Sequence, residues 1–244
     1  MDAGERSTMG VVSTPSQSSS SRPERVGVLG ALEAEVAPLW AAPGANPRTR
    51  SGPLHRLGVP AVELVRGETL LLVARSGVGK VAAARAAAAL VAEGVDGLLI
   101  VGTCGGLTPR TQVGTLVHAD SAAQWDLAVR DGRESEADPT WRARWQSVVD
   151  GPTGRMLSAD RPAVRWIDRL RRARAMEGLC VADMETAAAA AVAARAGLPW
   201  AALRAVSDTV GLGRRASFAA NVAEQAGRAA ESVPSWIASW RRPE

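Results

Sequence analysis

The residues best suited to chemistry in this sequence are carboxylates at the ends of short apolar runs. In AALRAVSDTV (201–210), Arg204 and Asp208 interrupt a stretch that otherwise has the composition of a buried strand. Glu185 and Glu35 each follow another apolar run. Carboxylic acids give and take protons, and carboxylates stabilise positive charge that develops in a transition state. The pattern therefore indicates acid–base chemistry carried by carboxylates.

Histidine and cysteine offer little for other kinds of chemistry. The chain has two histidines, His55 and His118, and two cysteines, Cys104 and Cys180, and each pair is far apart in sequence. Their positions match no zinc-site spacing and suggest no disulfide framework. We therefore expect no metal site and no catalytic triad that uses histidine.

Short apolar strands alternate with helical segments along most of the chain. Predicted strands include VGVLG (26–30), TLLLVAR (69–75) and GLLIVGTCGGL (97–107). Helical patterns occur at residues 81–94 and 185–197. The alternation predicts an α/β fold with a largely parallel central sheet. Ligands bind at the carboxyl ends of the strands in such sheets, and this sequence places its carboxylates there.

Two glycine-rich segments are expected to form turns after strands, and each permits a second interpretation. SGVGK (76–80) is not a phosphate loop, because Ala74 stands five positions before Gly79 and Val81 follows the lysine. It is either a tight turn or a place where a ligand lies against backbone amides. GTCGG (102–106) is either a turn with positive φ or a point where a ligand approaches the backbone.

The charged residues also have structural explanations. The acids of ADMET (182–186) suit a helix start, although one acid would suffice as a cap. Arg204 could pair with a neighbouring acid, since a buried unpaired charge is costly. Glu33 and Glu35 lie two residues apart, so we expect one to face solvent and the other the sheet.

Composition bounds the class of protein. The chain has 244 residues, 46% of them apolar, which suits one large domain. We expect a disordered tail at residues 1–24, rich in serine and proline, and a single domain at residues 25–244. No apolar stretch reaches the roughly 20 residues that span a bilayer, and no secretory signal is recognisable. We therefore expect a soluble cytoplasmic protein without a membrane partner.

The net charge of +4 is not concentrated in one place. Lys80 is the only lysine among 29 basic residues, and the arginines are interspersed with acids. Nucleic-acid-binding proteins cluster their charge on one face or along one helix. The densest cluster, RWIDRLRRAR (165–174), is more simply the solvated face of a helix. We expect no nucleic-acid partner.

Five collinear segments resemble the nucleoside phosphorylase/nucleosidase superfamily, and within it the methylthioadenosine/S-adenosylhomocysteine nucleosidases. They are VGVLGALEAEVAPL (26–39), SGVGKVAAARAAAAL (76–90), VGTCGGLTPRTQVGTLVHAD (101–120), VADMETAAAAAVAARAGLPWAALRAVSD (181–208) and SFAANVAEQAG (217–227). The resemblance covers rather more than a third of the chain. It implies a three-layer sandwich, α/β in class, with a mixed, largely parallel central sheet flanked by helices.

The resemblance also implies a role for each matching residue. Glu35 matches the acid that activates the attacking water, and Asp208 matches the acid that protonates the purine at N7. Glu185 matches the carboxylate that holds the ribose hydroxyls. Met184 packs against the sugar, and Arg204 and Thr103 lie beside the nucleophile. The resemblance does not assign the last candidate, Phe218, which we expect to stack on the base in place of the family's aromatic residue.

On this basis we expect an enzyme that hydrolyses the N-glycosidic bond of a purine nucleoside, with no metal and no organic cofactor. In the family resembled, phosphorylases carry arginines near the first glycine turn. Here GALEAEVAPL (30–39) offers a carboxylate, which would repel phosphate. A phosphorylase of the same fold, a futalosine hydrolase and a non-catalytic nucleoside-binding protein are the alternatives.

Two departures from the family bear on substrate choice. Pro162 stands near the position of a base-stacking aromatic residue, and Gln124 stands where relatives often have an aromatic residue facing the 5′ substituent. We therefore expect a weaker preference for methylthioadenosine than the family usually shows. We also expect a homodimer, because a neighbouring subunit closes the 5′ pocket in the family and because eight tryptophans suggest buried apolar surfaces.

Overall fold

The computed structural model describes residues 21–48, 52–107, 111–129, 133–162, 178–209 and 214–240, and it describes the backbone alone for residues 214–219. Residues 1–20 of the expected tail and the arginine-rich segment 165–174 lie outside the described residues. Arg22, from the rest of that tail, donates hydrogen bonds to the Thr69 hydroxyl and the Arg66 carbonyl.

The described residues contain ten strands and eight helices. The strands are β1 (Arg25–Gly30), β2 (Asn46–Pro47), β3 (Ala61–Arg66), β4 (Thr69–Arg75), β5 (Gly97–Gly106), β6 (Leu116–Gln124), β7 (Glu134–Glu136), β8 (Thr153–Ser158), β9 (Cys180–Asp183) and β10 (Trp200–Asp208). The helices are α1 (Glu33–Trp40), α2 (Gly52–Arg56), α3 (Lys80–Ala92), α4 (Pro139–Gln146), α5 (Thr186–Arg195), α6 (Arg214–Gln225), α7 (Arg228–Glu231) and α8 (Val233–Ala238). Within the described ranges, no helix is long and apolar enough to cross a membrane.

The strands form one mixed sheet in the order β10-β6-β8-β9-β5-β1-β4-β3-β2, with β7 beside β6. Because β5 also pairs with β10, the strands β5, β10, β6, β8 and β9 close into a ring, and β1, β4, β3 and β2 extend from it. The expected α/β fold with a mixed central sheet is confirmed. Of the ten pairings between described strands, five are parallel and five antiparallel.

Helices cover both faces of the sheet. Alternate residues of a strand point to opposite faces, and in β4 Leu72 and Ala74 belong to a core formed with α3 and α5. Leu71 and Val73 belong to a second core, formed with α1, α4, α7 and α8. The layers are therefore helix, sheet and helix, with an apolar core at each junction.

Tryptophans fill the second core. Trp141, Trp145, Trp236 and Trp240 are buried, and their neighbouring ring centroids lie 4.8 to 6.4 Å apart. Trp200 is buried in the first core. These large side chains find their apolar partners inside the chain, so they give no support to the expected homodimer.

Candidate functional site

The carboxyl ends of β1, β4, β5 and β10 meet at one edge of the sheet, because neighbouring strands of this set are parallel. Glu35 follows β1, in the first turn of α1. In β10, Arg204 pairs with Gly102 of β5, and the next residue pairs with Thr103. This register places Arg204 and Thr103 on adjacent strands, close to the point that Glu35 reaches from α1.

Glu35 is held by four hydrogen bonds and is 2% exposed. Its Oε2 accepts from the backbone N–H groups of Ala31 (2.8 Å) and Leu32 (3.0 Å). Its Oε1 accepts from the backbone N–H (2.7 Å) and the hydroxyl (3.0 Å) of Thr103. A carboxylate has about four lone-pair sites, and four donors occupy them here. The carboxylate is therefore fixed in one orientation.

The GTCGG segment (102–106) belongs to β5 and is not a turn, which corrects the expectation drawn from its glycines. The strand continues because β9 and β10 both pair with it there. Gly102 has a φ of +144°, and a Cβ at this position would overlap the side chains of Arg204 and Glu35. The glycine is therefore required because two charged groups cross the backbone of β5 at this point.

Arg204 is 1% exposed and lies among acids. Its Nη2 is 2.9 Å from Asp183 Oδ2 and 3.9 Å from Glu185 Oε2. Its Nε donates to the Thr186 hydroxyl (3.0 Å), and its Nη1 donates to the Thr103 carbonyl (3.4 Å). Burial alone would lower the pKa of Arg204, but the surrounding carboxylates, Asp183 first, raise it above its usual value. The guanidinium is therefore a fixed positive charge.

Asp183 is the main partner of Arg204. Its carboxylate accepts hydrogen bonds from the hydroxyls of Ser158 and Thr186 and from the Thr186 backbone N–H (3.1 Å). It thus satisfies the first N–H of α5 and also neutralises Arg204. Asp183 therefore serves both as an acid at the helix start and as the ion-pair partner that the buried arginine needs. The sequence reasoning did not single out Ser158 or Thr186. The available signal was their position, one ending β8 and the other opening α5.

Glu185 is 7% exposed. Its Oε1 accepts from the Gly79 backbone N–H (2.8 Å), and its Oε2 accepts from the Met184 backbone N–H (3.3 Å). Burial raises the pKa of Glu185 to about 7, against the opposing effects of Arg204 and the Gly79 N–H. The bond from Gly79 also explains SGVGK (76–80), because an amide of this tight turn binds a carboxylate of the protein itself.

Asp208 is the last residue of β10 and is 8% exposed. The pairing of β10 with β5 shifts in register between Val206 and Asp208. Such a bulge changes the direction of the side chain that follows it. The Ser207 hydroxyl donates at 3.2 Å to Asp208 Oδ1 or at 3.3 Å to the Cys104 carbonyl. The bulge and Ser207 therefore contribute to the position of the Asp208 carboxyl group.

The remaining candidates are less defined. Met184 is half-buried between the two acids. Phe218 lies in α6, but its side chain is outside the described residues. Pro162 is exposed, and Gln124 is half-buried at the end of β6. Trp125 packs against a small apolar cluster that includes Leu107, Leu157, Cys180 and Ala182.

Among the residues that the structure describes, those of the site carry an excess of negative charge. Four buried carboxylates accompany one buried guanidinium, which is a formal excess of three negative charges, or of two when Glu185 is protonated. Cys104 lies among these groups, and burial raises the pKa of its thiol. Among the residues that the structure describes, no three His, Cys, Asp or Glu side chains are grouped so as to hold a metal ion. The arrangement suits a reaction whose transition state is positively charged.

Comparison with known proteins agrees with the fold. A methylthioadenosine/S-adenosylhomocysteine nucleosidase of Tolumonas auensis is 27% identical over 217 residues, covering 80% of this chain and 90% of the relative. The structure of such a nucleosidase from Colwellia psychrerythraea, in complex with adenine, is similar with a TM-score of 0.80 at 20% identity, covering 89% of this chain and 96% of that one. Futalosine hydrolase of Helicobacter pylori is similar with a TM-score of 0.77 at 20% identity, covering 89% and 97%.

Residues 25–237 match the sequence profile of the Phosphorylase superfamily. The match spans most of the chain and all of the elements that carry the buried carboxylates. It confirms the resemblance that the five segments suggest. The chain therefore belongs to the Phosphorylase superfamily, whose enzymes include nucleoside phosphorylases and nucleosidases.

Proposed function

We propose that this protein hydrolyses the N-glycosidic bond of a purine nucleoside and releases the free base. The observation that carries the proposal is the site's charge. Buried carboxylates from α1, β9 and the residue before α5 surround one fixed guanidinium, Arg204, and a fourth buried carboxyl group, Asp208, ends the same strand. Cleavage of this bond builds positive charge on the sugar, as in glycoside hydrolysis generally. Fixed carboxylates around the sugar would stabilise that charge without reorganisation.

Glu35 is proposed as the base that activates water. Three of its four hydrogen bonds come from backbone N–H groups, which cannot turn away. The fourth comes from the Thr103 hydroxyl, which rotates. When this hydroxyl turns toward the water, it frees a lone pair of Glu35 Oε1 for the water's proton. Arg204, anchored by Asp183, would hold the water from the other side.

Asp208 is proposed as the acid that protonates the purine at N7. A protonated purine departs more easily, because the base then takes the electron pair of the broken bond as a neutral molecule and not as an anion. Asp208 ends β10, whereas the water-activating residue, Glu35, lies in the first turn of α1. Two carboxyl groups on separate elements can serve the two ends of the bond, with one taking a proton from water and the other giving one to the leaving group.

Glu185 is proposed to hold the ribose hydroxyls, with Met184 against the sugar. An ionised carboxylate accepts hydrogen bonds from two neighbouring hydroxyls, whereas its protonated form accepts fewer. The pKa of about 7 places this change near neutral pH. Substrate binding should therefore strengthen as pH rises through about 7.

Water is a better nucleophile for this site than phosphate. Phosphate is an anion, and the described residues of the site still carry an excess of one or two negative charges when Asp208 holds the proton that it donates. Arg204, the buried cation among the described residues of the site, is already paired with Asp183 at 2.9 Å. These features favour hydrolysis over phosphorolysis.

A panel of nucleosides tests the proposal: methylthioadenosine, S-adenosylhomocysteine, adenosine, inosine and futalosine. We expect release of free base from at least one of them, and loss of that release in Asp208→Asn by about 10²–10⁴-fold. The amide oxygen of the substituted side chain can still accept from Ser207, so this variant should keep binding the nucleoside. No release from any member by the wild-type protein, or equal release by the variant, would contradict the proposal.

A further inference from the structure

Lys80, the only lysine of the sequence, is the first residue of α3. The N-terminus of a helix carries partial positive charge, so a cation in the first turn is unfavourable. The Lys80 side chain is 14% exposed, and its Nζ lies 2.6 Å from Asp126 Oδ1 and 3.4 Å from Asp160 Oδ2. The other oxygen of Asp126 accepts from the Asp160 backbone N–H (2.8 Å). These two acids account for a charge that the helix alone would disfavour.

This cluster joins three segments beside the candidate site. Asp126 follows β6, Lys80 begins α3, and Asp160 follows β8. The segment after β8 is itself tied to β9, because the Ala159 backbone N–H donates to the Asp183 carbonyl (3.2 Å). Lys80 therefore links the start of α3 to the strand that leads into Glu185.

Gly79 connects Lys80 to the site directly. It precedes Lys80, and its backbone N–H donates to Glu185 Oε1 at 2.8 Å across 106 positions of sequence. Gly79 has a φ of +100°, a conformation that favours glycine. It is also the N-cap residue of α3, so no capping side chain holds the start of this helix. The direction of this N–H therefore depends on where the start of α3 is held.

We propose that Lys80 is a positioning residue for Glu185: its ion pairs with Asp126 and Asp160 hold the Gly79 amide against the Glu185 carboxylate. The kinetic part of this inference depends on the proposed function of the site. The structural part, the link from Lys80 through Gly79 to Glu185, stands on the contacts alone.

Removing Lys80 leaves Asp126 and Asp160 side by side without their cation. The start of α3 then loses both ion pairs that hold it to these segments, so the Gly79 N–H is no longer held against Glu185. The charged groups that then face Glu185 are Arg204 from β10, Asp183 from β9 and Glu35 from α1. Because a donor that favours the ionised carboxylate is lost, Glu185 ionises only at higher pH.

The kinetic test compares Lys80→Met, Lys80→Arg and the control Arg22→Met. Lys80→Met should raise KM about tenfold, with kcat within about threefold, and should shift the acid limb of the kcat/KM profile to higher pH. Lys80→Arg keeps the charge and should restore most of both. Arg22 is also mostly buried and forms an ion pair with Glu68 at the other end of β4, and its loss should change neither.

The second test needs no activity. With ¹⁵N-glycine labelling, the Gly79 amide proton should titrate with Glu185, and the titration should be absent in Glu185→Gln. In Lys80→Met the Gly79 titration should be lost or strongly reduced. If it persists unchanged, or if Lys80→Met keeps the wild-type KM and acid limb, the inference is wrong. If the wild-type protein cleaves no nucleoside, the proposed function fails, and the Gly79 titration alone decides the role of Lys80.

Discussion

Replacing Glu35 by glutamine should abolish hydrolysis and also destabilise the fold by a predictable amount. A carboxamide offers one acceptor oxygen and one donor group in place of two acceptor oxygens. In its best orientation the amide oxygen keeps the bonds from Ala31 and Leu32, and the NH₂ group faces Thr103. The Thr103 hydroxyl can turn to accept, but the Thr103 backbone N–H then faces another donor.

One buried donor is therefore left unsatisfied in Glu35→Gln, which costs about 1–3 kcal/mol. For a chain of this size, each kcal/mol lowers Tm by about 2–4 °C, so a fall of about 2–12 °C is expected. The rate should fall by about 10²–10⁴-fold, because an amide cannot take a proton from water. Base release is measured well below the variant's Tm, and adenine binding by calorimetry shows whether the pocket survives.

Glu33→Gln is the matched control. Glu33 lies two residues earlier in α1, its side chain is 70% exposed, and it pairs with Arg75 at 2.7 Å. Such surface pairs contribute about 0–1 kcal/mol, so activity and Tm should stay near the wild-type values. Near-normal hydrolysis by Glu35→Gln, or inactivity of Glu33→Gln alone, would show that the wrong glutamate has been assigned.

Three further outcomes are expected. Thr186→Val should lower kcat/KM about tenfold, because it removes the hydroxyl between Asp183 and Arg204. Thr186→Ser keeps this hydroxyl and should retain most of the wild-type kcat/KM. Equal activity of the two variants would show that the hydroxyl has no role in the site. Burial lowers the pKa of His118, so the unfolded chain takes up a proton there first, and the free energy of unfolding falls as pH drops below about 6.5. Urea unfolding should show a smaller fall between pH 7 and 5 for His118→Gln than for the wild-type protein. An identical dependence of the free energy of unfolding on pH would contradict this. Light scattering at micromolar concentration should give a homodimer for the wild-type protein. Val81→Glu should give a smaller species, because Val81 is an apolar side chain that is 85% exposed and that a second subunit could cover. A monomeric wild-type protein would contradict the expected assembly.

Sequence patterns indicate where a candidate site lies, because strand ends can be predicted from local composition. Arg204 and Asp208 interrupt an apolar run, and parallel strands bring such ends together. The alternation of apolar residues with helices likewise predicted the α/β class. Both inferences use information within about ten residues of the position concerned.

The contacts that the sequence did not show join distant parts of the chain. Gly79 and Glu185 are 106 positions apart, and only the fold shows that the turn binds a carboxylate. The ring of strands closes because β5 is long enough to pair with both β9 and β10, and local composition does not give this length. The glycines of β5 are also typical of a turn, and only the fold shows the side chains that lie against them. Eight tryptophans predict buried apolar surfaces, but composition cannot tell whether those surfaces are buried inside one chain or between two.

The nucleophile is the most direct measurement of the proposed function. Purified protein is given methylthioadenosine, and the other nucleosides of the panel, in buffer depleted of phosphate and again with phosphate added, and the sugar product is identified by mass spectrometry. We predict equal rates of base release in both buffers, with a sugar that carries no phosphate at C1. Turnover that requires phosphate, with a sugar 1-phosphate as product, would contradict the proposal that the carboxylate-rich site selects water.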